Sequence, residues 1–463
     1  MTFSREYLSL GFQAFMLNLV LFLSLSLNLM FGAVILLIIF FGLVNRIKIF
    51  YAFFLQTIFF QNTFIAFASI FIESLSIFKI LHGINFLLPT LLVLFMFKKN
   101  TDYFDGKFFV KSVALISILI LFYLFGIYHY GFLNSTVYLR LLITPIIYLL
   151  AGIFFARKTT LGFLNGYLKL ILVICLVITM LQFLFPYTLS FFMNDLKYFN
   201  LKIGMNTWDE LLEFYRSKKL FNFSWLNVRF ARIGSLIKSI ISLGYFLCIL
   251  GLYFYWPQKK FRLFLILVLV ILSVNSKGAI LMLFFSIFLY FLFYRTNVSK
   301  SLAILLYIIV NIGFVVLGYY ARNEHIVGFF AGIEYLFSFG NGLGFSGNLS
   351  TTMMSSFKGG QLPDLGYWTR FQNGSESVYG VLFSSLGVFS ILYIYYFADI
   401  IFTLFRKLTS ANSYAKILKV LALVLFVQGI YQEEAFSPYA FGLVMFLVGL
   451  NFNTINEREG VSI

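Results

Sequence analysis

The stretch SVALISILILFYLFGIYHYGFLNSTVYLRLLITPIIYLLAGIFF, residues 112–155, carries a single formally charged side chain, Arg140. Its two apolar runs, 112–131 and 137–155, each match the roughly 18–20 residues that a helix needs to cross a hydrocarbon core of about 30 Å. Neither run alternates polar and apolar residues with a period of two, so a lipid-facing β-barrel strand is excluded. In lipid the backbone must satisfy its own hydrogen bonds, and a helix is the remaining solution.

The same pattern extends along the whole chain. Of 463 residues, 61% are hydrophobic and 11% charged, with a mean hydropathy of +0.95; soluble domains carry about 25% charged residues. The fold class is therefore all-α, a polytopic transmembrane helical bundle of about 12–14 spans. Fourteen spans fit at 8–25, 27–44, 50–72, 80–97, 112–131, 137–155, 166–185, 236–256, 261–276, 278–294, 302–320, 377–398, 418–434 and 436–452. Arg5 followed by a long apolar run, with no small-residue cleavage site, reads as an uncleaved first span.

Basic residues recur in alternate loops, among them Arg46 and Lys48, Lys98 to Lys111, Arg157 and Lys158, Lys259 to Arg262, and Arg406 to Lys419. The positive-inside rule places these loops in the cytoplasm. One integral membrane domain, 1–463, then carries two long outer loops, 186–235 and 321–376, and its work is expected at the outer face. No GxxxxGK[ST] phosphate loop is present, which argues against ATP-driven chemistry.

The net charge of +17 is spread between spans and forms no basic stripe. Membrane lipids with anionic head groups and phosphate-bearing substrates are the expected partners, and nucleic acid is not. Cys175 and Cys248 both lie in apolar runs, and the only histidines are His82, His129 and His325. That set suggests neither a disulfide framework nor a metal site, and no cofactor is expected.

An ionisable side chain in or beside a span costs about 2.5–3.5 kcal/mol on insertion scales, so these residues are the candidates for chemistry. Arg140 reads either as a bidentate phosphate fork at the outer interface or as a snorkelling arginine. Lys277 in SVNSKGA holds a pyrophosphate or marks a turn. Arg229 and Arg232, three apart in NVRFARIGSLIKS, share a face if helical and would clamp a diphosphate, or else are solvated loop-end residues. Arg322 and Arg370 bracket the second long loop. Glu433 and Glu434 in YQEEAFSP read as a solvated turn, with acid–base work as the alternative. The glycine-rich run FGNGLGFSGN, 339–348, offers amides that would approach a substrate closely. Glu376 enters a span in NGSESVYGVLFSSLGV, 373–388. It is either a partly desolvated general base or an acid favoured by the helix dipole, with Ser375 as a capping-type residue.

Several of these pieces occur in an order that resembles the Wzy-type O-antigen and polysaccharide polymerases, and more distantly the O-antigen ligases of the same superfamily. The matching residues are Arg232 and Gly234 in RIGSLIKS, SVNSKGA at 273–279, GNGLG at 340–344 and ESVYGVLFSSLGV at 376–388. Ligases resemble this pattern with a histidine where Glu376 stands, so the polymerase is favoured. Lys277 departs from the family's arginine and lacks its planar fork. The resemblance implies a GT-C-like membrane glycosyltransferase of the bacterial inner membrane, acting in lipopolysaccharide or other polysaccharide biosynthesis. It would polymerise undecaprenyl-diphosphate-linked repeat units, with Glu376 as catalytic base and Arg232 and Lys277 as diphosphate-binding residues, to which the reading of the charges adds Arg140, Arg229, Arg322 and Arg370. A chain-length regulator protein is a further implied partner. Trp208, Trp225, Tyr367 and Trp368 either stack on sugar rings or anchor the chain at the interface. A ligase, and a lipid-linked glycan flippase or transporter, are the alternatives.

Overall fold

The computed structural model describes residues 5–99, 106–217, 234–258, 260–274, 276–296, 298–320, 324–347, 376–407 and 413–451. Arg229, Arg232, Arg322, Arg370, Trp225, Tyr367, Trp368 and Ser375 lie outside them. The described residues are all-α, with no strand. Twenty helices follow in order: α1 Arg5–Leu27, α2 Leu29–Leu43, α3 Ile47–Ala68, α4 Leu75–Leu81, α5 Ile84–Lys99, α6 Gly106–Tyr130, α7 Phe132–Lys158, α8 Leu161–Leu184, α9 Pro186–Phe192 and α10 Asp195–Ile203. Then come α11 Trp208–Ser217, α12 Ile240–Tyr255, α13 Phe261–Val274, α14 Lys277–Arg295, α15 Lys300–Tyr320, α16 Glu324–Ile333, α17 Val378–Leu386, α18 Ser390–Lys407, α19 Ser413–Gln428 and α20 Phe441–Leu450.

Among the described residues, nine helical segments are long and apolar enough to cross a membrane. A tenth is gained if α4 and the start of α5, bent by 45°, count as one span. That is fewer than the 12–14 expected from hydropathy, and the difference has a geometric cause. The expected spans 27–44, 236–256, 261–276 and 418–434 fall on α2, α12, α13 and α19, which have 15, 16, 14 and 16 residues. At 1.5 Å per residue such helices reach only about 21–24 Å, short of a core of about 30 Å. The expected span 80–97 is the bent pair, which breaks at His82 and Gly83 rather than at Pro89 inside α5.

The chain divides into two compact units. The first comprises Met1–Lys98, Leu149–Ile280 and Phe446–Ile463. Its axis is α3, buried on every side from Phe50 to Ala66, the signature of a central helix. Tyr51 and Phe54 meet Phe155 with ring centroids 4.9 and 5.1 Å apart. Polar side chains link its helices where lipid offers no partner: Thr57 donates to Asn18 at 2.6 Å, and Gln56 to Tyr167 at 3.0 Å. The close approach of Gly152 and Gly449 lets two backbones touch, since a Cβ at Gly152 would meet the Phe446 carbonyl at 2.3 Å.

The second unit comprises Lys99–Tyr148 and Leu281–Met445. Here α16 crosses α17 through the GFFAG run 328–332. A Cβ at Gly380 would meet the Gly328 carbonyl oxygen at 2.2 Å, so only glycine permits this approach. Lys111 pairs with Asp399 at 2.7 Å, and Tyr393 donates to the Leu142 carbonyl at 2.9 Å.

Candidate functional site

The second unit gathers charge around Arg140 on α7. This arginine is half-buried and interacts electrostatically with Tyr439, Tyr148 and Glu434. Glu434 lies in a single 3-10 turn, Glu433–Phe436, that joins α19 to α20. The turn is wound from local bonds: the amides of Tyr431 and Gln432 donate to the Gln428 carbonyl, and that of Ser437 to Glu434. Glu433 is 7% exposed and Glu434 half-buried, so the solvated turn expected for this pair is corrected. The cause is Phe436, whose ring packs 4.7 Å from Phe441 and 6.1 Å from Tyr379 and draws the acids in with it. A buried carboxylate costs several kcal/mol unless a cation compensates, and Glu434 lies within electrostatic range of Arg140.

Glu376 is half-buried just before α17. Ser377 caps that helix, its hydroxyl accepting from the Gly380 amide at 3.1 Å. The amides of Val378 and Tyr379 both donate to the Gly429 carbonyl, and the Tyr379 hydroxyl donates to the Phe426 carbonyl at 2.8 Å. The segment carrying Glu376 is thereby tied to the chain that leads into Glu433 and Glu434.

The glycine-rich run takes a different role from the one its composition suggests. Gly340, Gly342 and Gly344 have φ of +95°, +88° and +98°, conformations that glycine adopts without strain. The amides of Asn341, Gly342 and Leu343 donate to the carbonyls of Ser384, Ser385 and Phe122. These three amides fasten the turn to α17 and α6 and are not available to a substrate. Two stretches of the resemblance, GNGLG and FSSLGV, therefore meet in the structure. Lys277 belongs to the first unit, exposed at the start of α14.

The first unit holds a second charge centre that the sequence reading passed over. Asp195 and Lys238 form an ion pair, their side chains 0% and 1% exposed. Asp195 also accepts from Tyr215 at 3.1 Å and Gln182 at 3.2 Å, and the Lys238 ammonium contacts the Met193 sulfur at 3.0 Å. Gln182 accepts the Ser235 amide at 2.9 Å, and Asn62 donates to the Ile237 carbonyl at 2.8 Å. Lys238 itself takes a left-handed conformation, φ +56°. Burial pushes the Lys238 ammonium below its ordinary pKa while Asp195 pulls it back. Burial, and then the charge of Asp195, hold the Tyr215 phenol well above its own. The only signals in the sequence are a lone acid in PYTLSFFMNDLKYF and a lysine ending RIGSLIK, 43 positions apart.

No cluster of three or more His, Cys, Asp or Glu residues that would hold a metal occurs among the described residues. Helix length and composition define a multi-pass α-helical membrane protein. No family model, curated protein or solved structure matches this chain.

Proposed function

We propose that this membrane protein is a glycosyltransferase that polymerises undecaprenyl-diphosphate-linked oligosaccharide repeat units at the outer face of the cytoplasmic membrane. What supports the reading is that the helix entered at Glu376 is bonded through Val378 and Tyr379 to Gly429, on the chain leading into the acidic turn, with Arg140 in the same unit and Glu434 within electrostatic range of it. In the reaction, the hydroxyl oxygen of the incoming repeat unit attacks the anomeric carbon of the growing glycan. The bond from that carbon to the diphosphate oxygen breaks, and the polyprenyl diphosphate leaves with both electrons. Glu376 takes the hydroxyl proton. Arg140 has five N–H donors in a planar fork to neutralise the leaving diphosphate, and a cation already in place needs no reorganisation. The lipid diphosphate is the activated group, so no nucleotide is consumed.

A second reading, a flippase or transporter for the same lipid-linked glycan, draws on the 45° break between α4 and α5 and on the buried Asp195–Lys238 pair. Broken helices and buried charges are what such carriers use.

The experiment is complementation of a polymerase-deficient host with the glycan pathway native to this chain, read as surface polysaccharide on a gel. Wild type should restore a ladder, and Arg140→Ala and Glu376→Gln should reduce it to single repeats at unchanged protein level. A ladder that survives both substitutions removes this site from the account. Absence of even single repeats from the surface when the protein is missing would favour the carrier.

A further inference from the structure

In the first unit, α9, α10 and α11 fold into a cup. The chain reverses at Asn194, φ +54°, and again at Gly204, φ +76°, and α11 is opened by a reciprocal cap. Glu210 accepts the Thr207 amide at 3.3 Å, and its own amide donates to the Thr207 hydroxyl at 3.2 Å. That cap fixes Trp208 at the head of the helix, its ring 5.1 Å from Tyr187 and 6.1 Å from Phe191. The cup borders an open cleft of about 560 Å³ whose polar lining is Asn194, Lys197, Asn200 and Asn206, the rest being Trp208 and apolar side chains such as Phe67.

The lining has a distinctive chemistry. Asn194 spends its amide nitrogen on Ser69 at 2.8 Å and Ala66 at 3.1 Å, and Asn200 spends its own on Asn206 at 2.7 Å. Among the described residues no donor bonds the carbonyl oxygens of Asn194 and Asn200, which can act as acceptors. Lys197 is exposed and supplies a donor. Trp208, backed by two further rings, presents a rigid apolar face. A lipid phosphate would need converging cations, and it would be repelled by carbonyl oxygens beside a single lysine. A pyranose ring suits the set: its hydroxyls donate to the two carbonyls and accept from the ammonium, while its C–H face lies on the indole. The size falls within the range of about 300–1,000 Å³ typical of small-molecule sites.

We infer that this cleft is a saccharide-binding site, remote in sequence from Arg140 and Glu376, which holds glycan without reacting with it. Only the choice of glycan rests on the polymerase reading. The Asp195–Lys238 pair is its foundation, because Asp195 follows Asn194 at the start of α10 and locks that corner.

The test uses the full-length chain in neutral phosphatidylcholine nanodiscs, avoiding sugar-headed detergents that would compete. Oligosaccharide repeats released by mild acid from the host's surface polysaccharide are titrated in by calorimetry, and saturation-transfer NMR reports the bound face. Trp208→Ala should weaken binding by about tenfold or more, and Trp208→Phe, which keeps a ring, by less. Lys197→Ala with Asn200→Ala leaves the Thr207–Glu210 cap intact and should weaken binding as well. Arg140→Ala should bind as wild type does. Equal affinity in wild type and the Lys197/Asn200 double variant overturns the proposal, as does displacement of the oligosaccharide by phosphatidylglycerol. Polymerisation that survives Arg140→Ala would remove the catalytic reading and leave the cleft standing.

Discussion

Arg140 was legible as the only charged side chain in a 44-residue stretch, but the half-buried Glu434 within electrostatic range of it was not. Glu434 reads as a turn residue until Phe436 is seen packed on Tyr379 and Phe441, because burial of a loop is set by contacts far along the chain. Lysine at position 140 keeps the charge and loses the planar fork. Arg140→Lys is therefore expected to lower the turnover rate about a hundredfold, in the range seen when one preorganised donor is lost, as measured on lipid-linked repeat units at saturating substrate. The buried Asp195–Lys238 pair gives a stability prediction. Lys238→Met alone strands a buried carboxylate and should cost about 3–5 kcal/mol, whereas Lys238→Met with Asp195→Asn should recover most of it, read by denaturant unfolding in nanodiscs. The pH dependence follows from the same site. With its pKa raised in the fold, Tyr215 contributes stability that is complete below the ordinary value of 10.0 and is lost as pH rises through the higher folded value. Lys238, its pKa lowered in the fold, works with the opposite sign: between that lowered value and 10.5 the unfolded chain binds more protons, and stability climbs with pH. Relative to wild type, Tyr215→Phe should flatten the alkaline loss above about pH 10.

At the scale of elements, helix existence was readable from apolar run length, whereas helix length was not. The hydropathy reading treats α2, α12, α13 and α19 as spans because their residues are apolar, but none exceeds 16 residues. The glycines divide in a way composition cannot reveal. Gly380 faces the Gly328 carbonyl with no room for a methyl group, while a Cβ at Gly313 in α15 meets nothing within 4 Å. Gly380→Ala should lower the melting temperature by several degrees, in line with a core overpacking cost of about 1–3 kcal/mol. Gly313→Ala should leave it unchanged or raise it slightly. Differential scanning fluorimetry on the two variants side by side makes the comparison, and equal melting temperatures would remove the close crossing of α16 and α17.

For the molecule as a whole, the membrane class was legible from composition, while grouping into two units was not, since each unit collects segments distant in sequence. The positive-inside pattern gives an orientation that thiol labelling can check. Both native cysteines are buried, so a background with Cys175→Ala and Cys248→Ala should remain folded. In it, Lys202→Cys should react with an impermeant maleimide added outside intact cells, and Thr160→Cys only after the membrane is opened; the reverse pattern would invert the topology. The central claim, that this chain joins lipid-linked repeat units and does not merely move them, is tested most directly by reconstitution. Purified protein in proteoliposomes is given undecaprenyl-diphosphate-linked repeat units, with no nucleotide and no other protein, and the lipid-bound glycans are sized by gel and mass spectrometry. The account predicts a ladder of lengthening glycans from wild type and single repeats only from Arg140→Ala. Single repeats that cross the bilayer unextended in the wild-type vesicles would contradict it and identify a carrier.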